Sequence, residues 1–120
     1  MSRAETSRLT VLIPLHRSQP WVEHIARNLR CLPAQCNVLI SDATWQDDAI
    51  DRLQARQGDD PRVQFFRKKS EIGWRRHINE LFNRVRTEFA SILPQDDSIH
   101  TGYYEQLISA LDANPSAGLA

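Results

Sequence analysis

The alternation of two kinds of apolar pattern constrains the fold of this chain more than any other feature. Short apolar runs rich in β-branched residues alternate with longer segments in which apolar side chains recur at the helical period. This pattern predicts strands at residues 9–14, 38–40, 62–67 and 89–93, helices at residues 18–32, 47–57, 73–85 and 102–113, and the beginning of a fifth strand at residues 118–120.

Strands that alternate with helices of this length predict an α/β fold. We expect three α/β/α layers, with a mostly parallel, Rossmann-like sheet as the middle layer. The third strand is the most polar, and we therefore expect it near an edge of the sheet. The 120 residues suffice for one domain. We assign this domain to residues 8–120 and expect the polar residues 1–7 to form a disordered tail.

Composition and charge argue against several classes of protein. No apolar run approaches the roughly 20 residues of a membrane helix, and the N-terminus lacks the apolar core of a signal peptide, so we expect a cytoplasmic protein without a membrane segment. Residues 66–87 carry seven Lys or Arg and two Glu, whereas residues 88–120 carry five Asp or Glu and no Lys or Arg. This distribution does not favour a nucleic-acid binder, which would be uniformly basic. It suits a site where a phosphate-bearing ligand meets a cation, although charges scattered over a solvated surface explain it equally well.

Several other side chains have structural explanations. Cys31 and Cys36 are expected to be buried, reduced thiols, because no second pair exists to complete a zinc site. Trp21 and Trp74 fit the apolar faces of their helices, and we expect both to be packing residues. The four histidines are widely separated and form no ligand pair at helical or hairpin spacing.

Polar side chains follow three of the predicted strands. Leu15-His16-Arg17 comes after the first strand, Asp42 ends the second, and Gln95-Asp96-Asp97 follows the fourth. Ligands of parallel α/β sheets bind outside the carboxyl ends of the strands. We therefore expect these groups to gather at one edge of the sheet.

The adjacent carboxylates of Asp96 and Asp97 are the most specific of these groups. Two such charges at the end of a buried strand repel each other unless a cation neutralises them. Mg²⁺ and Mn²⁺ prefer oxygen ligands of this kind and share them with substrate phosphates. An Asp-Asp-Ser turn that caps the next helix is the alternative. The glycine-rich loops that usually hold phosphates are missing from the sequence, so a phosphate ligand would depend on a metal and on Arg or Lys.

Four segments of the chain resemble, in order and spacing, the GT-A-type glycosyltransferases of family 2. These enzymes open with a strand that ends in Ile-Pro and a polar loop, and their second strand ends in aspartate. A glycine that opens a helix with an Ala-Arg-Asn triplet and a strand followed by an Asp-x-Asp-Asp pattern come next. The matching segments of this chain are residues 11–17, 40–47, 70–79 and 87–97.

The resemblance implies a GT-A fold and a set of nucleotide-binding residues: Leu15, His16, Arg17, Asp42, Gly73, Asn79 and Asp96. In this family the first loop lines the nucleoside, and Asp42 would accept a hydrogen bond from the base. Asp96 and Asp97 would hold the ribose and a divalent metal, Mn²⁺ or Mg²⁺. Trp45 would either shield the base or cap the core.

Three positions depart from the family pattern. Ala43 replaces a second aspartate or asparagine, and Ile78 stands where an arginine is common. A phosphate or base contact is then either lost or supplied by Arg75 or Arg76. Pro94 replaces the first aspartate of the metal motif, which weakens the metal assignment.

The resemblance implies a metal-dependent glycosyltransferase that transfers a sugar, with inversion, from a nucleotide-diphosphate donor to a hydroxyl acceptor. A UDP-sugar is the favoured donor, while the acceptor, the catalytic base and the oligomeric state stay open. No residue after Asp97 is well placed as the base, and the domain is expected to be incomplete at its C-terminus and inactive alone. A non-catalytic nucleotide- or phosphosugar-binding module is the alternative. A receiver-like signalling domain is disfavoured, because receivers carry their acidic pair after the first strand.

Overall fold

A computed structural model describes residues 8–44, 48–68 and 71–120. The expected tail at residues 1–7 and the side chain of Trp45 lie outside these residues. Strands and helices alternate in the predicted order, and a short 3-10 turn, Gln19–Trp21, leads into the first helix. The elements are β1 (Leu9–Leu15), α1 (Val22–Cys31), β2 (Asn37–Asp42), α2 (Ala49–Gln57), β3 (Val63–Arg67), α3 (Trp74–Phe82), β4 (Phe89–Ile92) and α4 (Tyr103–Ala113).

The described strands form one four-stranded sheet in the order β3-β2-β1-β4, and every pair is parallel. Leu15 lies opposite Asp42 at the end of the β1–β2 pair, and Leu12 lies opposite Ile92 in the β1–β4 pair. The predicted parallel α/β sheet is therefore confirmed. The polar strand β3 lies at an edge, also as predicted.

Strand β1 is central, and all seven of its residues are buried. A strand with neighbours on both sides and helices on both faces has no solvent-facing side, which explains why every residue of β1 except Thr10 is apolar.

The helices lie on both faces of the sheet. Strands β1, β2 and β3 step in one direction, whereas the connection through α3 returns across β1 to β4. Because such crossovers are right-handed, the reversal places α3 on the face opposite α1 and α2. On the α3 face a small cluster contains Leu12, Leu39 and Leu81. A larger cluster joins residues of β1 and β2 to side chains of α1, α2 and α4 on the other face.

The C-terminal end of α1 is closed by Arg62, the residue that precedes β3. The guanidinium of Arg62 donates to the carbonyl oxygens of Pro33 at 2.9 Å, Leu29 at 3.3 Å and Leu32 at 3.4 Å. It also binds both carboxylate oxygens of Asp60, at 3.1 and 2.8 Å. Hydrogen bonds from Arg62 lower the pKa of Asp60. Carbonyls at a helix end have no partner within the helix, so Arg62 acts as a C-terminal cap.

Some sequence-based predictions about packing are wrong. Residues 118–120 form no strand, because they are exposed and do not pair with the outer edge of β4. Helix α3 packs through His77, Ile78 and Leu81. Trp74 is 62% exposed, although it was expected to be a packing residue, and Phe82 is 44% exposed. Trp21, at 37% exposed, is also only partly packed.

The prediction that both cysteines are buried, reduced thiols is confirmed in part. Both are free thiols, but only Cys36 is buried, and Cys31 is half-buried.

Candidate functional site

A pocket opens at the carboxyl ends of β1 and β4, where the strand order reverses. Ligands of open α/β sheets bind outside the carboxyl ends of the strands, at the point where the strand order reverses. The pocket has a volume of about 160 Å³ and is lined by Pro14, Leu15, His16, Trp74, His77, Pro94, Gln95 and Asp96. The structure thus brings together the predicted site residues Leu15, His16 and Asp96.

A larger cavity, of about 380 Å³, lies along the outer edge of β4. Its walls are mainly apolar side chains, among them Phe82, Phe89 and Ile108. It is away from the carboxyl ends of β1 and β2, where the polar residues that sequence reasoning selected are located. We therefore assign the candidate site to the smaller pocket at the switch point.

Gln95 connects the two strand ends that form this pocket. The His16 N–H donates to Gln95 Oε1 at 3.0 Å, and Gln95 Nε2 donates back to the His16 carbonyl at 3.0 Å. The hydroxyl of the buried residue Ser18 donates to the same Oε1. The Gln-Asp-Asp segment therefore uses its first residue to hold the β1 loop in place. Sequence reasoning identified neither this role of Gln95 nor Ser18.

A second set of bonds fixes the loop after β1 from the side of β2. Asp42 is fully buried, at 0% exposed, and its Oδ1 accepts the Thr44 N–H at 2.7 Å. The Thr44 hydroxyl accepts the Arg17 N–H at 2.8 Å and is hydrogen-bonded to His16 Nδ1 at 3.2 Å.

Arg17 has φ of 50°, in the left-handed region that disfavours non-glycine residues. Its bond to Thr44 helps to hold that strained conformation, so Asp42 shapes the loop through Thr44. A ligand would reach the Asp42 carboxylate directly only after the residues that cover it had moved.

Helix α1 holds the turn that carries the two aspartates. The Asp97 N–H donates to the Pro94 carbonyl at 3.1 Å, which closes a turn. The Asp97 carbonyl accepts from Asn28 Nδ2 at 2.7 Å and from His24 Nε2 at 2.6 Å. Asn28 is 2% exposed, and its Oδ1 accepts the Ile99 N–H at 3.3 Å. These bonds hold the turn by its backbone, and both aspartates are exposed.

The alternative explanation of the aspartates, a cap for the next helix, is wrong. Helix α4 begins at Tyr103, and its N-terminal flanking residue is Gly102, with φ of 92° and no side-chain cap. Asp96 and Asp97 are too far upstream to cap it.

The chemistry of the aspartate pair fits part of a divalent-metal site. Mg²⁺ is commonly held by one or two carboxylates together with substrate phosphates and water. Asp96 and Asp97 supply two carboxylates, and Asp96 lines the pocket. Within residues 8–44, 48–68 and 71–120, no group of three or more His, Cys, Asp or Glu could hold a metal. A metal here would therefore take its remaining ligands from the substrate and from water.

Other predicted residues lie outside the pocket lining. Gly73 immediately precedes α3, and Asn79 lies on that helix; both are exposed. Two α3 residues that sequence reasoning did not select, Trp74 and His77, line the pocket instead. Their spacing of three residues on a helix was the available signal, but it equally indicated core packing.

His77 is a buried polar group in the pocket wall. It is 2% exposed, and no hydrogen-bond partner of its Nε2 exists among the described residues. Burial lowers the pKa of the imidazole, with smaller contributions in the same direction from Lys68 and His16. Glu80 and a hydrogen bond with the Ser41 backbone oppose this shift.

Comparison with known proteins supports the fold through structure alone. No protein-family model matches the sequence, and no curated protein does either. The mannosyltransferase PcManGT from Pyrobaculum calidifontis, in complex with GDP-Man and Mn²⁺, matches with a TM-score of 0.80 and 19% identity. The match covers 92% of this chain and 34% of the mannosyltransferase chain.

TarS from S. aureus is also similar. TarS 1–349 in complex with UDP-GlcNAc matches with a TM-score of 0.75 and 15% identity, over 89% of this chain and 32% of that one. TarS 1–349 in a second structure matches with a TM-score of 0.78 and 14% identity, over 89% of this chain and 33% of that one. The chain therefore has a GT-A-like glycosyltransferase fold, as predicted, and spans about a third of these chains.

No helix in the described parts of the chain is long and apolar enough to cross a membrane.

Proposed function

We propose that this chain is the donor-binding part of a glycosyltransferase. In this proposal it binds a nucleotide-diphosphate sugar with a divalent metal, Mn²⁺ or Mg²⁺, for inverting transfer to a hydroxyl acceptor. The observation that carries the proposal is the pocket at the β1–β4 switch point, with Asp96 in its wall. The fold supports it, since the similar structures include a mannosyltransferase with GDP-Man and Mn²⁺ and TarS 1–349 with UDP-GlcNAc.

The proposed site has a nucleoside side and a phosphate side. On the nucleoside side, Leu15 and His16 form the wall, and Asp42 and Arg17 support it through Thr44. Gly73 and Asn79 stay proposed nucleotide-binding residues on the strength of the family resemblance. A UDP-sugar stays the favoured donor.

On the phosphate side, Asp96 and Asp97 would hold the divalent ion and Asp96 also the ribose. A divalent ion bound there would neutralise charge on the diphosphate leaving group. The contribution of the chain itself is to fix the backbone of the turn that carries the two carboxylates. Asn28 and His24 do so by binding the Asp97 carbonyl, and Gln95 does so by tying the turn to the loop after β1. The acceptor and the catalytic base are outside the proposal, and a cytoplasmic location stays a prediction.

Isothermal titration calorimetry tests the proposal directly. UDP, UDP-GlcNAc, GDP and GDP-mannose are titrated into the protein with and without Mn²⁺. Asp96→Asn and Asp97→Asn are compared with the wild type, and Asp59→Asn is the matched control, because Asp59 is an exposed aspartate in the turn before β3. We expect Mn²⁺ to strengthen binding at least about tenfold in the wild type and the control, and much less in the two site variants.

The outcomes separate the parts of the proposal. Binding that is unaffected by Mn²⁺ and by Asp97→Asn would show that the metal assignment is wrong. It would favour the alternative of a non-catalytic nucleotide- or phosphosugar-binding module. If the wild type binds none of the four nucleotides, the donor-binding function itself is refuted.

A further inference from the structure

A polar cavity of about 220 Å³ opens at the amino ends of the strands. Thr10, Asn37 and Gln64 line it, and each is the first or second residue of its strand. Leu39 places the cavity on the sheet face that α3 covers, because it belongs to the small cluster there. The remaining lining residues are Pro61, Arg62, Arg84 and Arg86. Thr10 lies about 16 Å along β1 from Leu15 in the candidate site, so the two sites are separate.

The shortness of α3 leaves this part of the sheet uncovered. The helix has nine residues and is about 13 Å long, whereas the seven residues of β1 extend over about 23 Å. The chain leaves α3 after Phe82, and residues 83–88 connect it to β4. Arg84 and Arg86 belong to this connection, which therefore brings two guanidinium groups to the uncovered end of the sheet.

Contacts within the protein restrain both of these side chains. The guanidinium carbon of Arg84 lies 4.1 Å from the centre of the Phe66 ring. Arg86 Nη1 donates to the carbonyl oxygens of Asn83 at 2.7 Å and Val85 at 2.9 Å. Neither an aromatic ring nor a carbonyl neutralises the positive charge. A ligand that binds here therefore orders less side-chain motion than it would at two freely moving arginines.

The charges of these two arginines are not compensated by the protein. Neither forms an ion pair with a carboxylate in the parts of the chain that the structure describes, whereas Arg62 is bound to Asp60. Among the described residues, no Asp or Glu lines the cavity. The exposed side-chain amides of Asn37 and Gln64 add further N–H donors. The cavity thus combines two positive charges with a wall of hydrogen-bond donors.

We propose that this cavity binds a phosphate dianion, as the free ion or as a phosphate monoester, through Arg84 and Arg86. A phosphate monoester carries a charge of about −1.5 to −2 at pH 7 and three acceptor oxygens. It therefore matches two guanidinium groups in charge and in hydrogen bonds. A carboxylate has one charge and two oxygens, and it would satisfy only one of the two arginines. This inference goes beyond the proposed donor site and does not depend on it, because the cavity lies at the other end of β1.

NMR titration of the ¹⁵N-labelled protein tests the site directly. Inorganic phosphate is added at constant ionic strength and without divalent metal, and the Nε–H signals of Arg84 and Arg86 and the side-chain amides of Asn37 and Gln64 are followed. We expect saturable shifts of these signals with a dissociation constant of about 1 mM or lower. Dimethyl phosphate and acetate, which carry one charge, should bind at least about tenfold more weakly. Methyl phosphate separates the two forms of the ligand, since equal binding indicates a monoester and weaker binding the free ion.

Variants at the two arginines test their contribution. Arg84→Gln and Arg86→Gln should each weaken phosphate binding about tenfold or more, because each removes charge-assisted hydrogen bonds. Arg84→Lys retains the charge but not the planar fork, so we expect an intermediate affinity. Arg30→Gln is the matched control, since Arg30 is an exposed arginine in the last turn of α1 and does not line the cavity. It should bind phosphate as the wild type does. Arg84→Gln should leave the Mn²⁺-dependent part of nucleotide binding unchanged.

Three results would overturn this inference. They are the lack of saturable shifts up to about 20 mM phosphate, equal affinity for acetate and phosphate, and equal affinity of Arg84→Gln and Arg30→Gln for phosphate. Should Arg86→Gln fail to fold, because its bonds to the carbonyls after α3 are lost, the two Arg84 variants decide. The donor site is tested by other residues and by its dependence on Mn²⁺, so either proposal can fail while the other stands.

Discussion

Replacing Asn28 by alanine tests how the acidic turn is held. The Asn28 side chain is 2% exposed, donates to the Asp97 carbonyl at 2.7 Å and accepts the Ile99 N–H at 3.3 Å. After the replacement the Asp97 carbonyl keeps its bond from His24, but the Ile99 N–H has no other acceptor among the described residues. One lost hydrogen bond is worth about 0.5–1.5 kcal/mol, and a buried unsatisfied donor about 1–3 kcal/mol. We expect a total loss of about 2–3 kcal/mol in the free energy of unfolding.

Urea unfolding followed by circular dichroism measures this loss. The midpoint should fall while the dependence of the unfolding free energy on urea stays unchanged, because the surface exposed on unfolding is nearly the same. Arg27→Ala is the matched control, since Arg27 is the preceding residue of α1 and its bond to Ser98 Oγ, at 3.1 Å, is exposed. Its effect should stay below about 0.5 kcal/mol.

The same variant links stability to the proposed metal site. If Asn28 positions the Asp96–Asp97 turn, Asn28→Ala should weaken the Mn²⁺-dependent part of nucleotide binding by about 10-fold, as loss of a supporting group around a metal typically does. Equal urea midpoints for Asn28→Ala and Arg27→Ala would refute the reasoning. An unchanged Mn²⁺ dependence with a lowered midpoint would limit Asn28 to a structural role.

Four further predictions concern the C-terminal end of α1 and two buried titratable groups. Arg62→Ala should destabilise the fold by about 2–3 kcal/mol, and Arg62→Lys should restore only part of this, because lysine cannot bind the Asp60 carboxylate through two nitrogens. The pKa of Asp60 is lowered from 3.8 in the folded protein. The ionised Asp60 carboxylate therefore stabilises the fold fully above pH 3.8, and this stabilisation disappears as the pH falls through the lower pKa of the folded state. Acid titration of the wild type and of Asp60→Asn, followed by circular dichroism, checks this. Burial lowers the pKa of His77 from 6.5. The folded state therefore binds fewer protons than the unfolded state, and the free energy of unfolding should fall as the pH drops below 6.5. Urea midpoints measured from pH 7 to pH 5 should fall less for His77→Phe than for the wild type, and an equal fall in both proteins would contradict the lowered pKa of His77. Burial also raises the pKa of Cys36 to about 11. Iodoacetamide at pH 8 should therefore modify the half-buried Cys31 before Cys36, as followed by mass spectrometry. Modification of both thiols at the same rate would contradict this prediction.

The order and type of the elements could be predicted because they depend on local patterns. The run at residues 9–15 is apolar except for Thr10, which is typical of a central strand covered on both faces, and β1 is such a strand. The polar sequence of β3 correctly indicated an edge. The grouping of Leu15, His16 and Asp96 followed from the rule that parallel strands present their carboxyl ends at one side of the sheet.

The supporting contacts could not be predicted, because they join residues that are far apart in the chain. Gln95 binds His16 across 79 positions, and Asn28 binds Asp97 across 69. Neither bond leaves a periodic trace in the sequence, since one amide side chain in a helix or a loop has many alternative roles. Trp74 was misassigned for a different reason. The helical period indicates which residues share a face, but it does not indicate how wide a stripe the sheet covers.

The unequal packing of the two sheet faces has a consequence for motion. Helix α3 is nine residues long and has three buried side chains, whereas the opposite face receives α1, α2 and α4 and the larger cluster. Segments with few buried contacts open at a lower free energy than the molecule as a whole. Amide protons of α3 should therefore exchange with solvent sooner than those of α1. Since α3 carries Trp74 and His77, which line the pocket, a nucleotide bound there as proposed should slow the exchange of the α3 amides.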